Sequence, residues 1–218
     1  AAPLRPIDGA DLPLVVPFQI VAVPGEQTLV AADRLGTLTS LDLLDRPRFV
    51  TVVDEDAPWV LSGATGDLAA VVNDATDRVA LWDLGADPPT QARGTRTAQV
   101  PGVVSSAPAR GGARLVALTE DQRLVLIDPA RGATIDTVEM DDADASGRLI
   151  PLDDESVAVA AGGAIHRVSI SDDRLVIDTL TQLGGDARVV AMAATVDGRT
   201  ITVLGTDGFG RSDTRVAL

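Results

Sequence analysis

The sequence predicts an all-β fold, a β-propeller of four-stranded antiparallel blades. Three observations carry that expectation. A short pattern recurs at the length of a propeller blade, the apolar residues are mostly Val, Leu, Ile and Ala, and the acids are concentrated in turn-forming Asp. No stretch shows an apolar stripe at helical spacing with caps, so helices should be minor.

The repeat appears when four segments are aligned: Ser40-Leu41-Asp42-Leu43, Leu81-Trp82-Asp83-Leu84, Leu126-Ile127-Asp128-Pro129 and Arg167-Val168-Ser169-Ile170. Their third residues, Asp42, Asp83, Asp128 and Ser169, stand 41, 45 and 41 residues apart. A period of about 40–45 residues holding four strands is a propeller signature.

Each unit divides into four apolar runs separated by turn residues. The first gives Phe18–Val23, Thr28–Ala32, Thr37–Leu43 and Phe49–Val53. The second gives Trp59–Ser62, Leu68–Val72, Arg78–Leu84 and Thr95–Val100. The third gives Val103–Ala107, Arg114–Leu118, Arg123–Asp128 and Thr134–Glu139. The fourth gives Leu149–Leu152, Val157–Ala160, Ile165–Ile170 and Leu175–Leu180. The fifth gives Val189–Ala193, Thr200–Leu204 and Thr214–Leu218, and its fourth strand is missing. The apolar run Leu12–Val16 is the candidate to fill that place. Pairing beside Thr214–Leu218 would close the ring and remove an exposed sheet edge. The expectation is one propeller domain over 1–218, with blades at 18–54, 59–100, 103–140, 147–181 and 187–218 plus 12–16. The alternative is part of a six- to eight-bladed ring.

Composition fits this architecture. Hydrophobic residues make up 45%, enough for a sizeable core, while aromatics are only 2%. The β-branched share of the apolar set favours strands. Formal charge is −14, every basic residue is Arg, and 27 of the 32 acids are Asp. Asp hydrogen-bonds its own backbone and favours turns, so many short strands with acidic corners account for much of the charge. An acidic surface argues against nucleic acid and anionic membranes as partners. The absence of Cys excludes disulfides, zinc-thiolate sites and thiol nucleophiles. No apolar run is long enough to insert in a membrane as a helix. The start at Ala1-Ala2-Pro3 fits a mature end after signal cleavage, or a cloning boundary, and the expectation is an extracytoplasmic protein.

The third unit, ARLVALTEDQRLVLIDPARGATIDTVEM at 113–140, resembles the repeat shared by YVTN-type and quinoprotein-like, WD40-like β-propellers. In those repeats a strand ending in Ile-Asp or Leu-Asp precedes a small-Gly turn and a Val/Ile-rich outer strand. Asp83-Leu84-Gly85 and Asp42 echo the pattern more faintly, and Ser169 departs from it. As architecture the resemblance spans 18–205. It implies a binding scaffold and transfers no catalytic residue. A pyrroloquinoline quinone site is poorly supported, since related enzymes cover that cofactor with a vicinal Cys pair.

Candidate chemistry is sparse. His166, the sole histidine, could act as a base near neutral pH, but it sits mid-strand between Ile165 and Arg167 with no nucleophile at an informative spacing. Of the carboxylate clusters Asp54-Glu55-Asp56, Asp141-Asp142-Ala143-Asp144, Asp153-Asp154-Glu155 and Asp172-Asp173, the second comes closest to a local calcium site, through Asp141, Asp142 and Asp144. Solvated turns between blades are the favoured reading of these clusters. The Gly pairs and GTDGFG at 205–210 read as hairpin turns rather than phosphate loops. Trp59 could line the funnel, Trp82 should sit between blades, and Phe209 could meet a partner from a loop tip. The function expected is a non-catalytic binding module for a protein partner or small ligand, with no cofactor, calcium being the one candidate ion. The alternatives are a carboxylate- or metal-dependent hydrolase or lyase with its site in the funnel, and an extracytoplasmic sensor domain of a larger protein.

Overall fold

A computed structural model of the chain describes residues 17–22, 28–33, 37–42, 48–51, 59–86, 90–140, 148–161, 163–182, 188–194, 200–206 and 211–217. Within them the regular structure is β, apart from short 3-10 turns at Asp74–Thr76 and Arg110–Gly112. None of the described helices is long and apolar enough to cross a membrane.

The strands form five antiparallel sheets, each a meander in chain order. The first holds β1 (Pro17–Ala22), β2 (Thr28–Asp33), β3 (Thr37–Asp42) and β4 (Arg48–Thr51). The second holds β5 (Val60–Thr65), β6 (Leu68–Asn73) and β7 (Arg78–Asp83), with β8 (Thr90–Gln91) and β9 (Ala98–Gln99) both paired to β7. The third holds β10 (Val103–Ala109), β11 (Arg114–Thr119), β12 (Arg123–Asp128) and β13 (Ala133–Glu139). The fourth holds β14 (Arg148–Pro151), β15 (Ser156–Ala161), β16 (Ala164–Ser171) and β17 (Arg174–Gln182). The fifth holds β18 (Arg188–Ala194), β19 (Thr200–Thr206) and β20 (Arg211–Ala217). The expected closing strand Leu12–Val16 lies outside the described residues.

Two expectations need correction. The outer strand of the second blade is not a continuous Thr95–Val100. It is split into β8 and β9, because Thr95 turns back to the Ala92 carbonyl while Arg96 bonds to the next blade. Trp59 does not begin the innermost strand, which starts at Val60.

The packing explains why the middle strands are apolar on consecutive residues. In β11, Leu115 and Ala117 join a cluster shared with the second blade, through Val79, Leu81 and Val72. Val116 and Leu118 point the other way, into a cluster with Val157, Val159, Val168 and Ile170 of the fourth. A third cluster, around Ala158, Ala160, Ile165, Ile201 and Val203, joins the fourth and fifth blades. Period-2 alternation therefore sends successive side chains into two different interfaces, and both must be apolar. Each fully buried Leu, Ile or Val contributes roughly 1.5–3 kcal/mol. The outer strand β13 has only one covered side and is mostly polar or partly exposed.

Sheets meet along their innermost strands in chain order: β1 with β5, β5 with β10, β10 with β14, and β14 with β18. Four of these strands carry a register shift in the same place, spanning Pro17/Gln19, Leu61/Gly63, Val103/Ser105 and Val189/Ala191. One residue bulges in each, which bends the strand and re-aims its side chain. At the far end of the second and third blades another feature repeats. Val100 and Met140 donate back to the carbonyls of Asp77 and Gln122, which both adopt left-handed φ, 55° and 66°.

Candidate functional site

The innermost strands carry no Asp, Glu or His. Two of their serines tie blades together. Ser62, the bulged residue of β5, places its Oγ 3.2 Å from that of Ser105, and the Ser106 N–H also donates to it. Ser105 Oγ in turn accepts from the Leu149 N–H at 3.3 Å. A hydrogen-bonded line thus crosses three blades. Gly63 permits the approach, since a Cβ there would lie 2.9 Å from the Ser106 carbonyl oxygen.

Several of the described acids have structural partners, most of them at corners. Asp128 Oδ1 accepts from the Ala130 N–H at 2.9 Å and the Arg131 N–H at 3.3 Å, an Asx turn, and Asp83 does the same for Gly85 at 2.9 Å. Asp77 accepts from the Gly102 N–H, and Asp153 from that of Glu155. Others bridge blades. Asp136 on β13 accepts from the Leu175 N–H on β17 at 2.8 Å. Asp154 receives the backbone N–H groups of Arg110 and Gly111, on its carbonyl and its carboxylate respectively. Asp173 holds Arg114, and Arg110 Nη2 donates to the Ile170 carbonyl at 2.9 Å. Asp172 and Asp173, with φ of 50° and 59°, form the two-residue turn between β16 and β17.

The remaining candidates are dispersed. Asp141, Asp142 and Asp144, the calcium candidate, lie outside the described residues, as do Asp54, Glu55, Asp56 and Phe209. Among the described residues no group of three or more His, Asp or Glu is placed to hold a metal ion. Trp59 is buried, 6% exposed, immediately before β5. Trp82 is half-buried on β7. His166 is half-buried on β16, with Nδ1 3.2 Å from Thr179 Oγ1 on β17. Burial lowers its pKa, opposed in part by a hydrogen bond to the Ala161 backbone.

The feature that sequence reasoning missed is the break in the second blade's outer strand. Between β8 and β9 the chain makes an excursion over Ala92-Arg93-Gly94-Thr95-Arg96-Thr97. The Ala92 N–H bonds to the Leu81 carbonyl at 2.8 Å. Thr95 then returns both its N–H and its hydroxyl to the Ala92 carbonyl, at 3.1 and 2.6 Å. Gly94, with φ of +80°, makes the reversal in open space. The Arg96 N–H reaches the Pro129 carbonyl of the next blade at 2.7 Å. Gly132, with φ of +64°, packs so closely that a Cβ there would lie 3.1 Å from Arg96 Cβ and 2.8 Å from the Thr97 carbonyl oxygen. The excursion carries two exposed arginines, Arg93 and Arg96, and packs at Arg96–Thr97 against Gly132, the residue after Arg131, whose side chain is 82% exposed. The one local signal is Gly94, immediately before the run Thr95–Val100 that reads as a strand.

No family model and no curated protein matches the chain. Solved structures do. One is a chain of the "Crystal Structure of Mitotic Checkpoint Complex", at 16% identity and a TM-score of 0.61, covering 93% of this chain and 61% of that one. Another is U3-55K, at 9% identity and a TM-score of 0.64, covering 91% and 68%. A third is the β-propeller domain of Cps50 (Swd1) from Myceliophteria thermophila, at 14% identity and a TM-score of 0.62, covering 92% and 73%. The chain thus spans less than two thirds of the first. These likenesses show the fold, a β-propeller of four-stranded antiparallel blades.

Proposed function

We propose that the chain is a non-catalytic propeller module that recognises a protein partner or small ligand on a face of its blades. The observation that supports this most is the employment of its acids. Asp77, Asp83, Asp128, Asp136, Asp153, Asp154 and Asp173 come from three blades, and each accepts a hydrogen bond that shapes a turn or ties two blades. A carboxylate committed to backbone N–H groups at a blade corner is held in place as structure rather than poised for proton transfer. The fold neighbours include a chain of a multi-protein complex, which fits a protein partner. In this reading the chain forms one propeller domain.

The test is a turnover panel of chromogenic glycosides, esters and lactones, with and without added calcium. The expected result is no rate above buffer. Turnover that disappears on replacing Asp153 or Asp154 with Asn, in a variant that still folds, would overturn the proposal in favour of a hydrolase.

A further inference from the structure

We propose that the arginine knuckle formed by Arg93, Arg96 and Arg131 docks a short carboxylate-rich segment of a protein partner. The proposal rests on the binding-module reading and names one contact within it. Charge complementarity carries it. On a chain of formal charge −14, three exposed arginines stand on the six-residue excursion of the second blade and on the third-blade corner against which its Arg96–Thr97 backbone packs. Arg93 and Arg96 have no ion pair among the described residues, and Arg131 leans on Asp128 at 3.6 Å. Of the other exposed arginines, Arg123 is shared by Asp121 and Glu139 and Arg167 is held by Asp153, while Arg78 on β7 and Arg174 on β17 have no ion pair among the described residues and stand singly.

The excursion that presents two of them is built rigidly. Ala92, Thr95 and Arg96 anchor it to Leu81, to itself and to Pro129 of the next blade, and Gly132 has no side chain to obstruct the contact. A loop already ordered in the free protein loses little entropy on binding. Guanidinium forks match the two oxygens of a carboxylate.

The size of the partner's charged segment follows from screening. At physiological salt the Debye length is about 8 Å, so only charges close to the knuckle feel it separately from the acidic surface. A few adjacent carboxylates fit within that radius. A long polyanion such as nucleic acid, with about one charge per 1.7 Å of duplex, would place most of its charge against the repelling remainder.

The experiment is fluorescence anisotropy with three labelled probes: a Gly/Ser peptide carrying four consecutive Glu, the same peptide with Gln in their place, and a twelve-residue oligothymidylate. The Glu peptide is expected to bind in preference to both controls. Single changes Arg93→Gln or Arg96→Gln should weaken it about threefold each, and the double variant about tenfold, as rim ion pairs do. Arg174→Gln should leave binding unchanged. A matching thermal transition shows that each variant folds. Failure of the Glu peptide to bind, equal binding by the double variant, or tighter binding of the oligothymidylate would each overturn the proposal. Those outcomes leave the binding-module reading intact, since that reading fails on turnover instead.

Discussion

Arg114 grips Asp173 across a blade boundary, its Nε and Nη2 lying 2.9 and 2.7 Å from the same carboxylate oxygen. The two residues belong to the second strand of one blade and the outer hairpin of the next. Arg114 also donates to the Ala113 carbonyl at 2.7 Å, so its guanidinium is oriented before the pair forms. Asp173 is about half exposed, so solvent screens the attraction. Arg114→Ala should destabilise by about 1 kcal/mol, and a double-mutant cycle with Asp173→Ala should give a coupling of about 0.5–1 kcal/mol. Urea unfolding of the four proteins measures it. Additive changes would mean that the pair contributes nothing to blade association.

Gly132 and Gly66 separate two reasons for needing glycine. Both are left-handed, with φ of +64° and +53°, but Gly66 has nothing within 4 Å of its missing Cβ. Gly132 meets the Thr97 carbonyl at 2.8 Å and Arg96 Cβ at 3.1 Å. Gly66→Ala should therefore cost about 1 kcal/mol, from backbone conformation alone. Gly132→Ala should cost about 2–4 kcal/mol, because the neighbouring blade must also shift. Equal costs, read from thermal or urea transitions, would show that the Thr97 approach is not tight.

Ser105 is buried, and its hydroxyl is the acceptor for the Leu149 N–H. Truncation removes that acceptor while leaving the donor buried. Ser105→Ala should cost about 1–3 kcal/mol, more than the same change at a partly exposed serine such as Ser169. Amide hydrogen exchange gives a local readout: Leu149 should lose protection before residues of β19 do. Unchanged protection at Leu149 would place its partner elsewhere.

Local chemistry made much of this legible in advance. The corner Asp128-Pro129-Ala130-Arg131-Gly132 was readable because an Asx turn and a left-handed glycine are properties of neighbouring residues, and both are present. The runs Leu115–Leu118 and Leu124–Ile127 were readable because both faces of a middle strand are buried between blades. The break at Ala92–Thr97 was not readable, since its cause, the Pro129 carbonyl and the small Gly132, lies over thirty residues away in the next blade. The tie between Ser62 and Ser105 was nearly readable. Their separation of 43 residues falls within the range of the repeat, but polar residues at that spacing carry no meaning until the bulge at Ser62 is known.

His166 should give the protein a shallow acid sensitivity above the carboxylate range. Burial lowers its pKa in the folded state, while an unfolded-chain histidine titrates near 6.5. Between the lowered folded value and 6.5 the unfolded chain binds more protons, so stability rises with pH across that window. The contribution is fully present above about pH 6.5 and is lost as pH falls through and below it. His166→Gln keeps a polar group able to bond Thr179 on β17 but cannot titrate. Thermal midpoints measured from pH 7.5 to 5.5 should fall for the parent protein and stay flatter for the variant. Parallel slopes would assign the acid sensitivity to other groups, and a steeper slope in the variant would reverse the sign of the His166 effect.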